Sequence, residues 1–147
     1  MLADYLAAEP LIVDRLRDQV AGVPDMRVFG AADLAGVEAR AQHTPALHVV
    51  YDGDEPLGEA GQSQSGDTQI AWQRWIVWVV ARSARDARGG TGARAVAGPL
   101  MAATIQALAG WRPSADHSPM IRGAAGRPAY DAGIAYYPQL YRTAVVL

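Results

Sequence analysis

The sequence predicts an α+β fold: an antiparallel or mixed β-sheet with two main helices packed on one of its faces. Three observations carry that expectation. The apolar pattern runs helix, strands, helix, strands; its strongest stretch, Thr68 to Arg82, has the period of a long strand; and Pro10–Val20 and Val96–Leu108 repeat apolar residues at helical spacing. At 147 residues and 15.6 kDa the chain has the size of one domain. Residues 1–147 are therefore expected to form a single unit, with an exposed hairpin or loop at about 55–67.

From Pro10 to Val20 the run PLIVDRLRDQV places Ile12, Leu16 and Val20 on one helical face. Leu11 and Val13 widen that stripe, and Asp14, Arg15, Arg17 and Asp18 face water. Pro10 suits the first turn, where its missing N–H has no intrahelical use. Leu2 to Ala8 form a preceding turn or kinked extension, and Gly22 and Pro24 stop the helix. Met26 to Phe29 reads as a short strand, followed by an alanine-rich connection with room for a short helix near Asp33 to Ala41. Pro45 releases the strand Ala46 to Tyr51, which Asp52-Gly53-Asp54 ends as a turn. Glu55 to Asp67 has glycine, serine and glutamine but almost no large apolar residue, the composition of a loop that carries contacts instead of core.

In TQIAWQRWIVWVVAR, Thr68 to Arg82, period two puts Ile70, Trp72, Ile76, Trp78 and Val80 on one face and Trp75, Val77 and Val79 on the other. The second half is apolar on both faces. It therefore reads as a central strand with one face under a helix and the other covered by something else, for which a neighbouring subunit is a candidate. After the flexible Gly89-Gly90-Thr91-Gly92, Val96, Leu100, Thr104 and Leu108 recur four apart, flanked by Met101 and Ile105. Pro99 interrupts them, so the helix proper starts near Gly98 or is kinked there, and Gly110 caps it. Met120 to Ala125, a turn around Gly126 to Pro128 and a stretch around Tyr130 to Tyr136 lead to a last strand, Gln139 to Leu147. Leu140, Ala144 and Val146 face one way there, Tyr141, Thr143, Val145 and Leu147 the other, and Pro138 marks the start or an edge position.

Thirteen basic against fifteen acidic residues give a net charge of −2 and a pI near 5.8, with no concentrated basic tail. Binding to nucleic acid driven by phosphate contacts is disfavoured. With no cysteine the chain has no disulfides, thiolate nucleophiles, Cys-ligated zinc or Fe–S clusters. MLADYLAAEP has an early Asp and Glu in place of a secretory pattern, and the most apolar stretch, Trp75 to Ala81, is far too short to span a bilayer. A soluble protein made in the cytoplasm, with no membrane partner, is expected.

No pattern carries catalysis. His43, His48 and His117 lack the spacing of a helical metal pair, and Asp52, Asp54, Glu55 and Glu59 match no calcium loop and read as a solvated turn. The Gly89-Gly90-Thr91-Gly92 run lacks the Lys-Ser or Lys-Thr of a phosphate cradle, and no serine has the setting of an activated nucleophile. The chain is expected to be no enzyme and to hold no metal and no cofactor. Half of it is apolar and only 19% charged, yet it carries four Trp and six Tyr, a composition that suits burial against another chain. Trp72, Trp75, Trp78 and Trp111 read as core plus interface, and Arg82, Arg85, Arg88 and Arg94 as interface contacts or solvated side chains.

Taken together, the helix after AAEPLIVDRL, the hairpin EAGQSQSGDTQIAWQRWIVWVVARS, then AVAGPLMAATIQALAGWRPS and the closing YYPQLYRTAVVL are similar to one family over nearly the whole chain. The chain resembles the tail terminator, or tail completion, proteins of tailed bacteriophages, including Mu-like minor tail proteins. The resemblance implies a ring-forming subunit, typically a homohexamer, that caps the tail tube, ends its polymerisation and offers a head-joining surface. Its implied partners are other copies, the tail tube protein and a head-completion or connector protein; DNA passes through the lumen without sequence-specific contacts. It implies a place in the virion at the head-proximal end of the tail. Gln62, Ser63, Gln64 and Ser65 match the loop used for assembly, and Trp72 to Trp78 the strand continuing from it. With Trp75, Arg82 and Arg85 these are the candidate interface residues. Another phage connector, such as a head-completion or tail-tube-like subunit, is the alternative; a phage-derived regulatory module is a further one.

Overall fold

In a computed structural model, residues 2–30, 43–56, 69–82 and 91–146 are described. The first helix, α1, spans Ala8–Gln19, starting two residues before Pro10; of the predicted stripe it buries Ile12, Val13 and Leu16, with Val20 buried at its C-cap, and Ala8 joins them. Its arginines do more than face water. Arg15 Nε donates to the Ala107 carbonyl at 3.0 Å with its guanidinium 5.5 Å from the Trp111 ring, and Arg17 Nη2 donates to the Val28 carbonyl at 2.9 Å. The short strand β1, Arg27–Phe29, follows. The helix expected near Asp33 to Ala41 lies outside the described residues.

Strand β2 runs Ala46–Pro56 and does not turn at 52–54. Tyr51 pairs with Trp75 and Asp54 with Gln73, so Asp52 and Gly53 together oppose Arg74 alone: a β-bulge. Gly53 takes the left-handed conformation this requires, φ +88°. A turn signal thus bends a strand here because its partner, β3 (Ile70–Arg82), continues the ladder beyond it.

The second helix, α2, spans Thr91–Leu108 without a break at Gly98, so Thr91 and Gly92 belong to it and not to a glycine loop. Pro99 is accommodated inside because it, Gly98 and Ala95 all face solvent, where water serves the Ala95 carbonyl that Pro99 cannot bond. The buried row is Ala93, Ala97, Leu100, Thr104 and Leu108, while Val96 is 39% exposed. Alanines at that row let the helix approach the sheet where the expected Val96 would not. Gly110 has φ +80° just past the helix, as a cap.

The remaining strands are β4 (Ile121–Gly123), β5 (Ala129–Asp131) and β6 (Ile134–Val146). Strand order is β1-β2-β3-β6-β4, with β5 also on β6; β1 lies parallel to β2 and the other pairs are antiparallel. The sheet is mixed, and both helices pack on one face. Strand β6 begins at Ile134, so Pro138 is interior. That position tolerates proline because β5 pairs residues 134–136 and β4 pairs 140–142, leaving Pro138 between them on that edge.

Asp131 pairs with Ile134 across a two-residue hairpin whose central residues have positive φ, 51° at Ala132 and 79° at Gly133. This is a type I′ turn, in which Asn-Gly is favoured and Ala is strained. Ala132→Asn is expected to raise stability by about 1 kcal/mol, read as a higher urea midpoint at unchanged slope.

The helix-facing side of the sheet holds two buried glutamines used in the same way. Gln73 accepts from Trp75 Nε1 at 3.3 Å and donates to the Tyr5 carbonyl at 2.6 Å. Gln139 accepts from the Tyr141 hydroxyl at 3.0 Å and donates to the Met101 carbonyl at 3.1 Å. Each ties one piece of the helical layer to its strand with no polar group left over, which is what makes full burial of an amide tolerable.

His117 is 2% exposed, bridges to Val145 of β6, and shares a 2.7 Å hydrogen bond between Nδ1 and Ser114 Oγ. Its Nε2 is buried without a hydrogen-bond partner among the described residues. Burial lowers its pKa, an effect that the Asp116 charge only partly opposes. The native state therefore holds the neutral ring, whereas the unfolded chain takes up a proton near its ordinary pKa of about 6.5. Its contribution is complete above that value and is lost as pH falls below it towards the lower native pKa. Urea midpoints measured between pH 7.5 and 5 are expected to fall, and His117→Gln to flatten that fall.

Candidate assembly interface

Alternation along β3 sends Ala71, Gln73, Trp75, Val77 and Val79 under the helices and Ile70, Trp72, Arg74, Ile76, Trp78 and Val80 to the opposite, open face. Register carries that face across the sheet. Trp78 lies between His48 and Pro138, Ile76 between Val50 and Leu140, and Val80 between Ala46 and Tyr136. On the far side of His48, Phe29 stacks on its ring with centroids 5.0 Å apart.

At the β1 end this face has an apolar cluster of its own. Ala46, Val80 and Ile134 are buried there with Phe29, Trp78 and Tyr136 packed on them, and no helix residue takes part. Beyond it Val50, Ile76 and Trp78 are only half-buried. Contiguous half-buried aliphatic and aromatic side chains with no helix of the described residues over them suit contact with another chain.

The other end is polar and internally neutralised. Arg74 reaches Asp52 at 2.8 Å and Glu55 at 3.4 Å, Arg142 lies 4.0 Å from Glu55, and the Arg142 guanidinium sits 5.4 Å from the Trp72 ring centroid. The bulge separates the two aspartates: Asp52 meets Arg74 on the open face, while Asp54 accepts the Tyr5 hydroxyl at 2.5 Å on the helix side. Of the acidic residues expected to form a solvated turn, these three are therefore paired. Tyr5 is pushed up by burial first, and further by Asp54.

Trp72, Trp78 and Arg82 share the open face. Trp75 lies on the opposite side, fully buried, and presents no surface in the subunit. Gln62, Ser63, Gln64, Ser65 and Arg85 lie outside the described residues. Composition alone did not single out the Phe29–His48 stack, which needs the parallel β1–β2 register, or the exposed Ile121 and Tyr130, 42% and 64% accessible, which stand beside one long strand on two short ones.

Among the described residues no cluster of His, Asp and Glu is placed to hold a metal ion, and no helix is long and apolar enough to cross a membrane. A cleft of about 400 Å³ beside β1 has Arg17, Met26, Arg27 and Phe29 in its wall but no carboxylate or nucleophile among its described lining residues.

The sequence matches the family of phage tail terminator proteins over residues 1–147. The chain belongs to that family. It is a structural protein of phage tails, and its fold has a counterpart in a solved assembly. A chain in the virion of a native gene transfer agent particle superposes with a TM-score of 0.56 at 16% identity, covering 98% of this chain and 100% of that one. No curated protein matches the sequence.

Proposed function

We propose that this subunit assembles with further copies into a closed ring, a homohexamer, that caps the phage tail tube, ends its polymerisation and supplies the surface for joining the head. The whole chain acts as one domain. The observation that carries the reading is the open face: a central strand apolar on both sides, with both helices of the described residues on one side. A ring needs heterologous contacts that close by rotation, and termination needs one ring face that accepts the last tube ring and another that does not repeat it.

A neighbouring copy covers the open face around Ile76, Trp78 and Trp72, and Gln62, Ser63, Gln64 and Ser65 with Arg82 and Arg85 contribute to that contact. The ring sits at the head-proximal end of the tail in the virion, between tube protein and a head-completion or connector protein, after synthesis in the host cytoplasm. DNA traverses its lumen without sequence-specific recognition, and the role requires no catalysis.

Analytical ultracentrifugation of the pure protein, alone and with tube protein, should reveal a discrete ring species. A strict monomer in both mixtures would sink the reading. Labelled electron microscopy of virions should place the protein at the head end of the tail; a label along the whole tube would favour a tube-like subunit instead.

A further inference from the structure

The charges of this subunit are divided by position in the sheet. The described residues up to Pro56, which build α1, β1 and β2, carry eight carboxylates and three arginines; those from Gln69 onward, which build β3, α2, β4, β5 and β6, carry seven arginines and two carboxylates. Because strand order is β1-β2-β3-β6-β4, this is a separation in space, with the acidic half on the β1 side and the basic half on the β4 side. All thirteen cations of the chain are arginines.

Internal pairing leaves both excesses available. In the acidic half, Arg15 and Arg17 are committed to backbone carbonyls, Arg27 is the one further arginine among the described residues, exposed on β1, and Asp14 meets Arg17 only at 3.9 Å with side chains 75% and 56% exposed. Asp14 and Asp18 remain on the solvent side of α1. In the basic half, Arg74 and Arg142 are taken up by Asp52 and Glu55. Arg82, Arg94, Arg122 and Arg127 form no ion pair among the described residues. Arg122 stands on the edge strand β4 and Arg127 in the exposed link to β5, next to exposed Ile121 and Tyr130.

We infer that neighbouring copies meet head to tail, the arginine-bearing β4–β5 side of one subunit against the carboxylate-bearing α1–β1 side of the next. The inference rests on the ring reading above and adds to its open-face contact the two charged flanks that set the direction in which copies join. A two-fold contact through either surface would place like charges together and is opposed; only a heterologous contact pairs the two. Arginine at such a surface supplies planar, multidentate hydrogen bonding to carboxylates and a weakly hydrated head that is easier to bury than an ammonium.

The test is charge reversal with rescue, read by sedimentation with and without tube protein. Arg122→Asp with Arg127→Asp, and separately Asp14→Arg with Asp18→Arg, are each expected to weaken association at least tenfold while far-UV circular dichroism stays native. The four substitutions combined in one chain should restore it, and an equimolar mixture of the two double variants should assemble in alternation. Association of the native protein should weaken as salt rises from 50 to 500 mM. Rings that form equally well from both double variants, or a combined variant no better than either, would overturn this pairing and leave the ring itself standing. A native protein that never associates overturns the ring, and the pairing with it.

Discussion

Trp75→Ala is expected to cost about 3–5 kcal/mol of folding stability, a large share of the 5–15 kcal/mol that holds an ordinary domain together. Trp75 is fully buried in the middle of β3, opposite Tyr51 on β2 and Tyr141 on β6, with the Tyr51 ring centroid 5.3 Å from its own. Truncation removes an indole from the core between sheet and helices and opens a cavity that two flanking strands cannot close without losing register. It also takes away the Nε1–H that Gln73 accepts at 3.3 Å, leaving a buried amide oxygen unserved. Trp75→Phe separates the two effects: it keeps most of the volume and loses the donor, with an expected cost of about 1–2 kcal/mol. Urea titrations followed by fluorescence remain possible because Trp72, Trp78 and Trp111 survive. A Trp75→Ala midpoint within about 0.5 kcal/mol of native would show that the helices do not depend on this side chain.

The contrast between Trp75 and its neighbours was legible in the sequence because period two in a strand is rigid: one residue of slip exchanges the faces. Thus Trp72, Ile76 and Trp78 fall on one side and Trp75, Val77 and Val79 on the other, as the alternation requires. The α1 stripe was legible for the equivalent helical reason. Where local chemistry and long-range pairing disagree, pairing wins. Asp52-Gly53-Asp54 has turn composition but lies against a strand that continues, so it bulges. Pro138 looks like a boundary but meets a gap between two short strands. Gln73 and Gln139 look like surface residues, and only the carbonyls of Tyr5 and Met101, distant in sequence, make their burial tolerable.

The candidate site shows the same division. Two apolar faces on one strand led to the expectation of a cover beyond the helices, and Trp72, Trp78 and Arg82 share the face that α1 and α2 leave. The excess of carboxylates before Pro56 and of arginines after Gln69 is visible along the chain, but its division in space is not. It needs the strand order, which places the first part of the sequence at one edge and the last part at the other.

Ile76→Lys is expected to leave the subunit folded and to weaken ring formation by at least a hundredfold. Ile76 is half-buried at the centre of the open face, between Val50 and Leu140. In the isolated subunit the lysine stem can lie along those neighbours with its ammonium in water, at a cost of about 1–2 kcal/mol. A neighbour seated on the face removes that water, and among the described residues the carboxylates of the open face, Asp52 and Glu55, already serve Arg74 and Arg142. Burying an unpaired charge costs several kcal/mol, and a closed ring meets that cost at every interface. Ile76→Val should assemble normally, as should Val96→Lys, which adds the same charge at a side chain 39% exposed on the outer side of α2. Sedimentation of the three variants at equal concentration, with thermal unfolding as a check on fold, decides the matter. If Ile76→Lys is folded and forms rings as readily as the native chain, the open face stays wet in the assembly and the neighbour must sit elsewhere.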